Sequence, residues 1–161
     1  MTTTKHEEID YRLLIKKVFD ETLQKEGVLF YLETTKQFTN FAYIIDIQDT
    51  RIDDAIAWSL HGLKSPSMIM PTTGTAQFSK VYFDLPKKFT FTFLKKTSIK
   101  TAIEVKYLKT SYSVSGKQSN FLKVYTDEDA FERNRLSDAL PPETKPDIHR
   151  KSSVSQSKSS R

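Results

Sequence analysis

The sequence predicts an α+β fold: a twisted antiparallel sheet covered by two or three helices, with a disordered C-terminal tail. Three observations predict it. Residues 81–107 alternate between apolar and polar side chains, the period of strands with one buried face. Three other segments carry apolar residues near helical spacing behind capping residues. Residues 141–161 are Ser- and Lys-rich with almost no apolar side chains, a composition too polar to offset the entropy of ordering.

The first helix is expected over residues 4–26. Thr4 with Glu7 fits a capping box, and Glu7, Glu8 and Asp10 sit where the helix dipole favours acids. Ile9, Leu13, Leu14, Phe19 and Leu23 recur near helical spacing, and Gly27 is a natural stop. Residues 28–33 and 38–47 read as two strands, with Phe41, Tyr43, Ile45 and Ile47 on one face. The second helix is expected over residues 50–61, capped by Thr50 with Asp53. Its stripe is Ile52, Ile56, Leu60 and Leu63, and Gly62 ends it. Trp58, the single tryptophan, is assigned to covering the core and not to binding a ligand. Residues 64–77 form a long connection in which Pro66, Pro71 and Gly74 block regular structure. Met68, Ile69 and Met70 make an apolar triplet inside it. Either the triplet tucks onto the core, or it is an exposed tip that touches a membrane or another subunit.

The central block is the clearest. Phe89, Phe91 and Phe93 alternate with Lys88, Thr90 and Thr92. Ile99, Thr101, Ile103, Val105 and Tyr107 alternate with Lys100, Ala102, Glu104 and Lys106. Residues 94–98 join these runs as a hairpin, with Lys95 and Lys96 at its tip. Residues 112–114 and 121–125 add short strands around Gly116. A third helix follows over residues 126–140, capped by Thr126 with Asp129, with a thin stripe of Phe131, Leu136 and Leu140. One domain, residues 1–140, is thus expected, with residues 141–161 as its tail.

Charge is distributed unevenly. Residues 78–125 hold ten lysines and two acids, an excess of +8 in a chain whose formal charge is +5, which leaves −3 for the rest. Lys87, Lys88, Lys95, Lys96, Lys100, Lys106 and Lys109 therefore form a candidate anion-binding set, for RNA, lipid or an acidic nucleoprotein. A plain solvated face would be served as well by mixed charge, and both readings stand at this stage. With a pI near 9.3, acidic partners are favoured. The block holds lysines and no arginine. Lysine acts as a point charge and not as a planar fork, which favours phosphate contact over base reading.

Catalytic chemistry finds little support. The chain has no cysteine, which excludes disulfides and thiolate sites and suits a reducing compartment. His6, His61 and His149 make no metal-spaced pair. Asp46, Asp49, Asp53 and Asp54 are better explained as caps than as cation ligands. The four glycines are isolated, so no phosphate-cradling loop exists. No enzyme, metal or cofactor is expected. The start lacks a signal-peptide core, and no apolar run approaches the ~18 residues of a membrane span. In the tail, Arg150 and Lys151 precede Ser152 and Ser153, the pattern of a basophilic kinase site. Phosphate there would reverse the local charge.

From residue 31 to residue 125 the order of elements resembles that of rhabdovirus matrix proteins, in particular the shorter plant-infecting kind such as those of cytorhabdoviruses. The segments that carry the resemblance are NFAYIIDI running into DDAIAWSLHGL, the apolar loop SPSMIMP, and the basic hairpin VYFDLPKKFTFTFLKKTSIKTAIEVKYL. Animal-virus members carry a basic N-terminal arm, often with a Pro-Pro-x-Tyr budding motif. Here Pro141-Pro142 is followed by Glu143 and Thr144, so that motif is absent. The resemblance implies a structural protein of the virion that self-associates, condenses the viral ribonucleoprotein and bridges it to an anionic membrane, with the viral glycoprotein as a further partner. It implies location in the virion and in host cytoplasm and membranes, with the nucleus as a further compartment. The competing reading is a non-enzymatic single-stranded nucleic-acid-binding protein whose Phe89, Phe91 and Phe93 stack bases. Burial of those rings separates the two.

Overall fold

The computed structural model describes residues 10–39, 42–65, 73–97, 99–117 and 119–139. Among them the chain forms β1 (Tyr11–Asp20), β2 (Lys25–Phe38), β3 (Ile44–Ile52), β4 (Ala55–Lys64), β5 (Gly74–Phe83), β6 (Lys88–Lys96), β7 (Ile99–Leu108), β8 (Ser111–Ser115), β9 (Leu122–Tyr125) and α1 (Glu128–Ala139). The strands make a single sheet in the order β8-β7-β6-β4-β3-β5-β2-β1-β9, curled into a nearly closed barrel. The α+β expectation is therefore overturned: among the described residues the chain is nearly all β, with one short helix. Nor is the sheet purely antiparallel, because β1–β9, β4–β6 and β3–β5 run parallel.

Two expected helices are strands over their described residues; residues 4–9 of the first, with its Thr4–Glu7 cap, lie outside those residues. Residues 11–20 are β1, paired with β2 along its whole length through a turn at residues 21–24. In the run Leu13-Leu14-Ile15, Leu13 and Ile15 join the barrel core. Leu14 points outward and is buried as well, lining a cleft with Phe131 of α1. A strand buried on both faces loses its alternation and passes for a helix stripe. The second case is β4. Ile56 and Leu60 fit a helix, but Ile56, Trp58 and Leu60 also share one strand face, and this places the tryptophan inside. Asp53 and Asp54, read as a cap, form the two-residue β3–β4 turn, with Asp53 at φ 54°, a left-handed conformation that Asp tolerates. Gly62 does not end the element. It lies at φ 122° beside a register shift in the β3–β4 ladder, a bulge within β4. The segment DDAIAWSLHGL is thus a turn and a strand, and the helix that the matrix resemblance places there is absent.

The β6–β7 hairpin, the short strands after it and α1 fall near their expected places. The strands expected over residues 28–33 and 38–47 do not: residues 34–37, read as their link, lie inside β2, and β3 starts at Ile44. Gly74, read as blocking regular structure, opens β5. Phe91 pairs with Ile103 across the β6–β7 hairpin, and both are buried. Helix α1 is capped by Asp127, whose Oδ1 accepts the Asp129 amide at 3.1 Å, instead of by Thr126.

Phe30 occupies the barrel centre, with ring centroids of Trp58, Tyr82, Phe89 and Phe91 at 5.2–5.9 Å. These tilted and edge-on contacts suit aromatic quadrupoles. The wall is continuous except at two places. Between β3 and β5 only Ile44 and Gln77 bridge. Farther along, side chains fill the split: Asp49 accepts from Lys80 and from the Tyr82 hydroxyl at 3.3 Å, and Trp58 Nε1 donates to that hydroxyl at 2.7 Å. Arg51 donates to the carbonyls of Phe83 and Asp84 at 2.7 and 2.9 Å. At the second place, β1 ladders with β9 only over Tyr11–Leu14, leaving its remaining half beside β8.

Helix α1 covers the outer face of β1 and β2. Phe131, almost fully buried, meets Tyr31 and Tyr125 edge-on at 5.8 and 5.7 Å. Beneath the helix lies a buried ion cluster. Glu33 accepts from Arg12 Nε at 3.1 Å, from Arg135 through Nε at 3.0 Å and a second guanidinium nitrogen at 3.1 Å, and from Thr75 at 3.0 Å.

Candidate functional site

The barrel wall has two outer faces of different character. One, over β1 and β2, is covered by α1. The other, over β3, β4, β6, β7 and β8, is bare among the described residues. Interior positions of β6 and β7 are apolar except for Thr101 and Lys95, and period two places the remaining polar positions outward. In register across the bare face run Thr50, Ala57, Thr92 and Ala102, one small side chain per strand. Gln48, Ser59, Leu94 and Lys100 form the next row, and Lys88, Lys106 and Ser113 lie toward the other end. The result is a low track of small residues with lysines at both margins, and with Glu104 standing between Ala102 and Lys106 on β7.

Most of the expected basic set sits on or beside this face. Lys88, Lys100 and Lys106 are exposed on it, and Lys96 is exposed at the end of β6. Lys87 lies exposed in the β5–β6 loop, where its carbonyl accepts the Tyr107 amide at 2.7 Å, and Lys109 lies in the β7–β8 turn. Lys100 and Lys106 are six residues apart on one strand, about 20 Å at strand rise. Lys88 stands directly opposite Lys106, a like-charge pair that destabilises a bare sheet. Glu104 relieves part of it at 3.5 Å from Lys88.

Lys95 departs from expectation. Period two from Phe89, Phe91 and Phe93 carries it inward, and its Nζ is buried 5.4 Å from the Phe121 ring centroid. It does not belong to the solvated tip. The phenylalanines themselves are sealed inside the barrel and cannot stack bases, so the stacking platform is excluded. The acids expected as caps do other work: Asp46 pairs with Lys64 at 3.5 Å, and Asp49 serves the β3–β5 split. Met68, Ile69 and Met70, and Ser152 and Ser153, lie outside the described residues.

Sequence reasoning missed two sites. The Arg12–Glu33–Arg135 cluster joins residues more than a hundred positions apart, and no local pattern signals it. A cleft of about 260 Å³ opens at the barrel end where Lys17, Tyr82, Leu85, Pro86, Tyr107 and Tyr112 meet. Lys17 lies there 4.0 Å from the Tyr107 ring centroid, and its pKa is raised, chiefly by hydrogen bonding with Tyr107 and Glu26. Among the described residues no group of three His, Asp or Glu side chains is placed to hold a metal. Compared with protein families, curated proteins and solved structures, the chain finds no match.

Proposed function

We propose that the chain is a non-enzymatic structural protein of the viral matrix kind, one that self-associates and binds an anionic polymer, the phosphate backbone of a ribonucleoprotein, through the outer face of β6 and β7. The observation that carries this reading is the bare face itself: a row of small side chains bounded at each margin by lysines. An extended polyanion can lie close to the wall there and meet cations about 20 Å apart, a spacing longer than one lipid headgroup requires. Lysine without arginine suits backbone contact without base reading. The matrix resemblance keeps its basic hairpin and loses its tryptophan helix, so the reading rests on the charged face and not on shared element order. Contact with an anionic membrane belongs to the same proposal as a second use of these lysines.

Salt titration tests it. Binding to single-stranded RNA should weaken linearly in log–log salt plots, because each neutralised phosphate releases counterions. Changing Lys88, Lys96, Lys100 and Lys106 together to Gln should reduce affinity at least tenfold and flatten the slope, with melting temperature unchanged. Wild-type affinity in that variant removes the face from consideration. Loss of vesicle binding with RNA binding intact would assign the face to lipid instead.

A further inference from the structure

The β1–β2, β3–β4, β5–β6 and β7–β8 connections all lie at one end of the barrel, as the registers Gly27 with Phe83, Ala55 with Thr90 and Lys88 with Lys106 require. Every residue of these four connections is described. Asp10, the first described residue, lies beside the start of β1 at the opposite end, and Asn134, near the C-terminus of α1, bonds Arg12 there. Six large apolar side chains are exposed among the described residues, and four of them gather at the connection end: Phe19 at 56%, Leu23 at 58%, Ile52 at 72% and Leu108 at 46%. They come from three different connections, so no single loop accounts for them. Large apolar side chains left exposed in or beside three connections at one end suit an interaction surface.

Charge at this end is divided. Lys87, Lys88, Lys106 and Lys109 lie together on β6, β7 and their connections. Asp20 and Glu21 lie at the β1–β2 tip, and Asp53 and Asp54 at the β3–β4 tip. Lys17 and Lys25 answer Glu26 and Asp84, at 3.2 and 2.7 Å. Acidic tips of this kind would oppose an anionic membrane. A second copy of the chain meets the requirement instead. Turned by a two-fold axis, it sets its lysine sector against the acidic tips and its acidic tips against the lysine sector. The same end also carries both a protruding apolar tip, Leu23, and the 260 Å³ cleft floored by Tyr82 and Tyr112. An isologous contact needs such self-complementarity of charge and shape.

We infer that the connection end of the barrel is a self-association surface, on which Phe19, Leu23, Ile52 and Leu108 of two copies meet and the lysine sector of each faces the acidic tips of the other. The inference rests on the self-association part of the function proposed above. It places the contact at the end opposite to the one where β4 ends and β5 begins. The contact sets exposed charges against each other, so it is salt-sensitive.

Sedimentation velocity over a concentration series tests it, with circular dichroism as the check on folding. Leu23, Ile52 and Leu108 are exposed, so changing them together to Ser leaves the fold intact and should raise the half-association concentration at least tenfold. Glu21 and Asp54 changed to Lys should also abolish association while RNA binding persists, because no lysine is lost. Mixing that variant with Lys87 and Lys109 changed to Glu should restore a dimer that neither forms alone. Wild-type association that survives these changes overturns the inference and leaves self-association through another surface standing. A wild type that stays monomeric at every concentration overturns self-association altogether, while RNA binding is judged separately. Vesicle flotation lost in the Ser variant, with association unchanged, would make the end a membrane contact and likewise overturn the inference.

Discussion

Glu33 has no accessible surface, and two arginines, a threonine and a tyrosine hold its carboxylate. Arg12 is almost equally buried. Neither charge can be left alone at that depth, since removing one partner of a buried pair strands the other. Glu33→Gln should therefore lower unfolding free energy by about 3–5 kcal/mol, measured by urea denaturation. A change within error would mean that water or another anion serves Arg12. The buried phenols make a second statement at this scale. Burial pushes Tyr11, Tyr31 and Tyr82 up to about 12 from the ordinary 10.0. A folded value above the unfolded one means that the fold favours the neutral phenol. That contribution is intact below about pH 10 and is lost as pH climbs from 10 toward 12. Thermal stability should hold to pH 9 and fall steeply beyond 10, with tyrosinate absorbance appearing together with unfolding. Full ionisation of all seven tyrosines below pH 11 in a folded chain would contradict the burial.

Among the elements, β6 is the one whose sequence states its structure most plainly. Three phenylalanines at period two can only be one face of a strand, and all three are buried. Phe91→Ala should cost about 3–5 kcal/mol, the usual range for a core aromatic. Wild-type thermal stability in that variant would place the ring elsewhere. β7 was legible for a similar reason, whereas α1 was legible from its acidic first turn. Of the stripe expected on α1, Phe131 is buried, Leu136 is exposed, and Leu140 lies outside the described residues. β1 was not, because α1 and the barrel core bury it from both sides, and Leu13-Leu14-Ile15 then satisfies either period. β4 was obscured by a coincidence, since Ile56 and Leu60 lie four apart and also on one strand face. Trp58 held the clue. A helix stripe through Ile52, Ile56 and Leu60 leaves so large a ring outside, while a strand places it in the core. The lysine face was legible because alternation alone assigns it, and Lys95 was misplaced only because the same alternation was not followed into the turn.

At the scale of the molecule, what the sequence hides is meeting at a distance. The exposed apolar residues from three connections at one barrel end, the Asp49–Lys80 bridge and the Glu33 cluster each bring together residues distant in sequence, and they appear only once the strand order is known. That order places β1, near the start of the described chain, against β9, more than a hundred residues later. Arg12 and Glu33 likewise wait for Arg135. During synthesis the growing chain must therefore hold a half-closed barrel, with β1 unpaired on one edge and a charge pair uncovered, until α1 has emerged. Loop-closure entropy makes so non-local a topology slow to form, and an open strand edge in that interval invites pairing with a neighbouring nascent chain. Strand β9, which pairs the edge of β1, and the helix that covers Arg12 and Glu33 thus close the fold together, and the yield of native protein should depend on how long the chain waits for them.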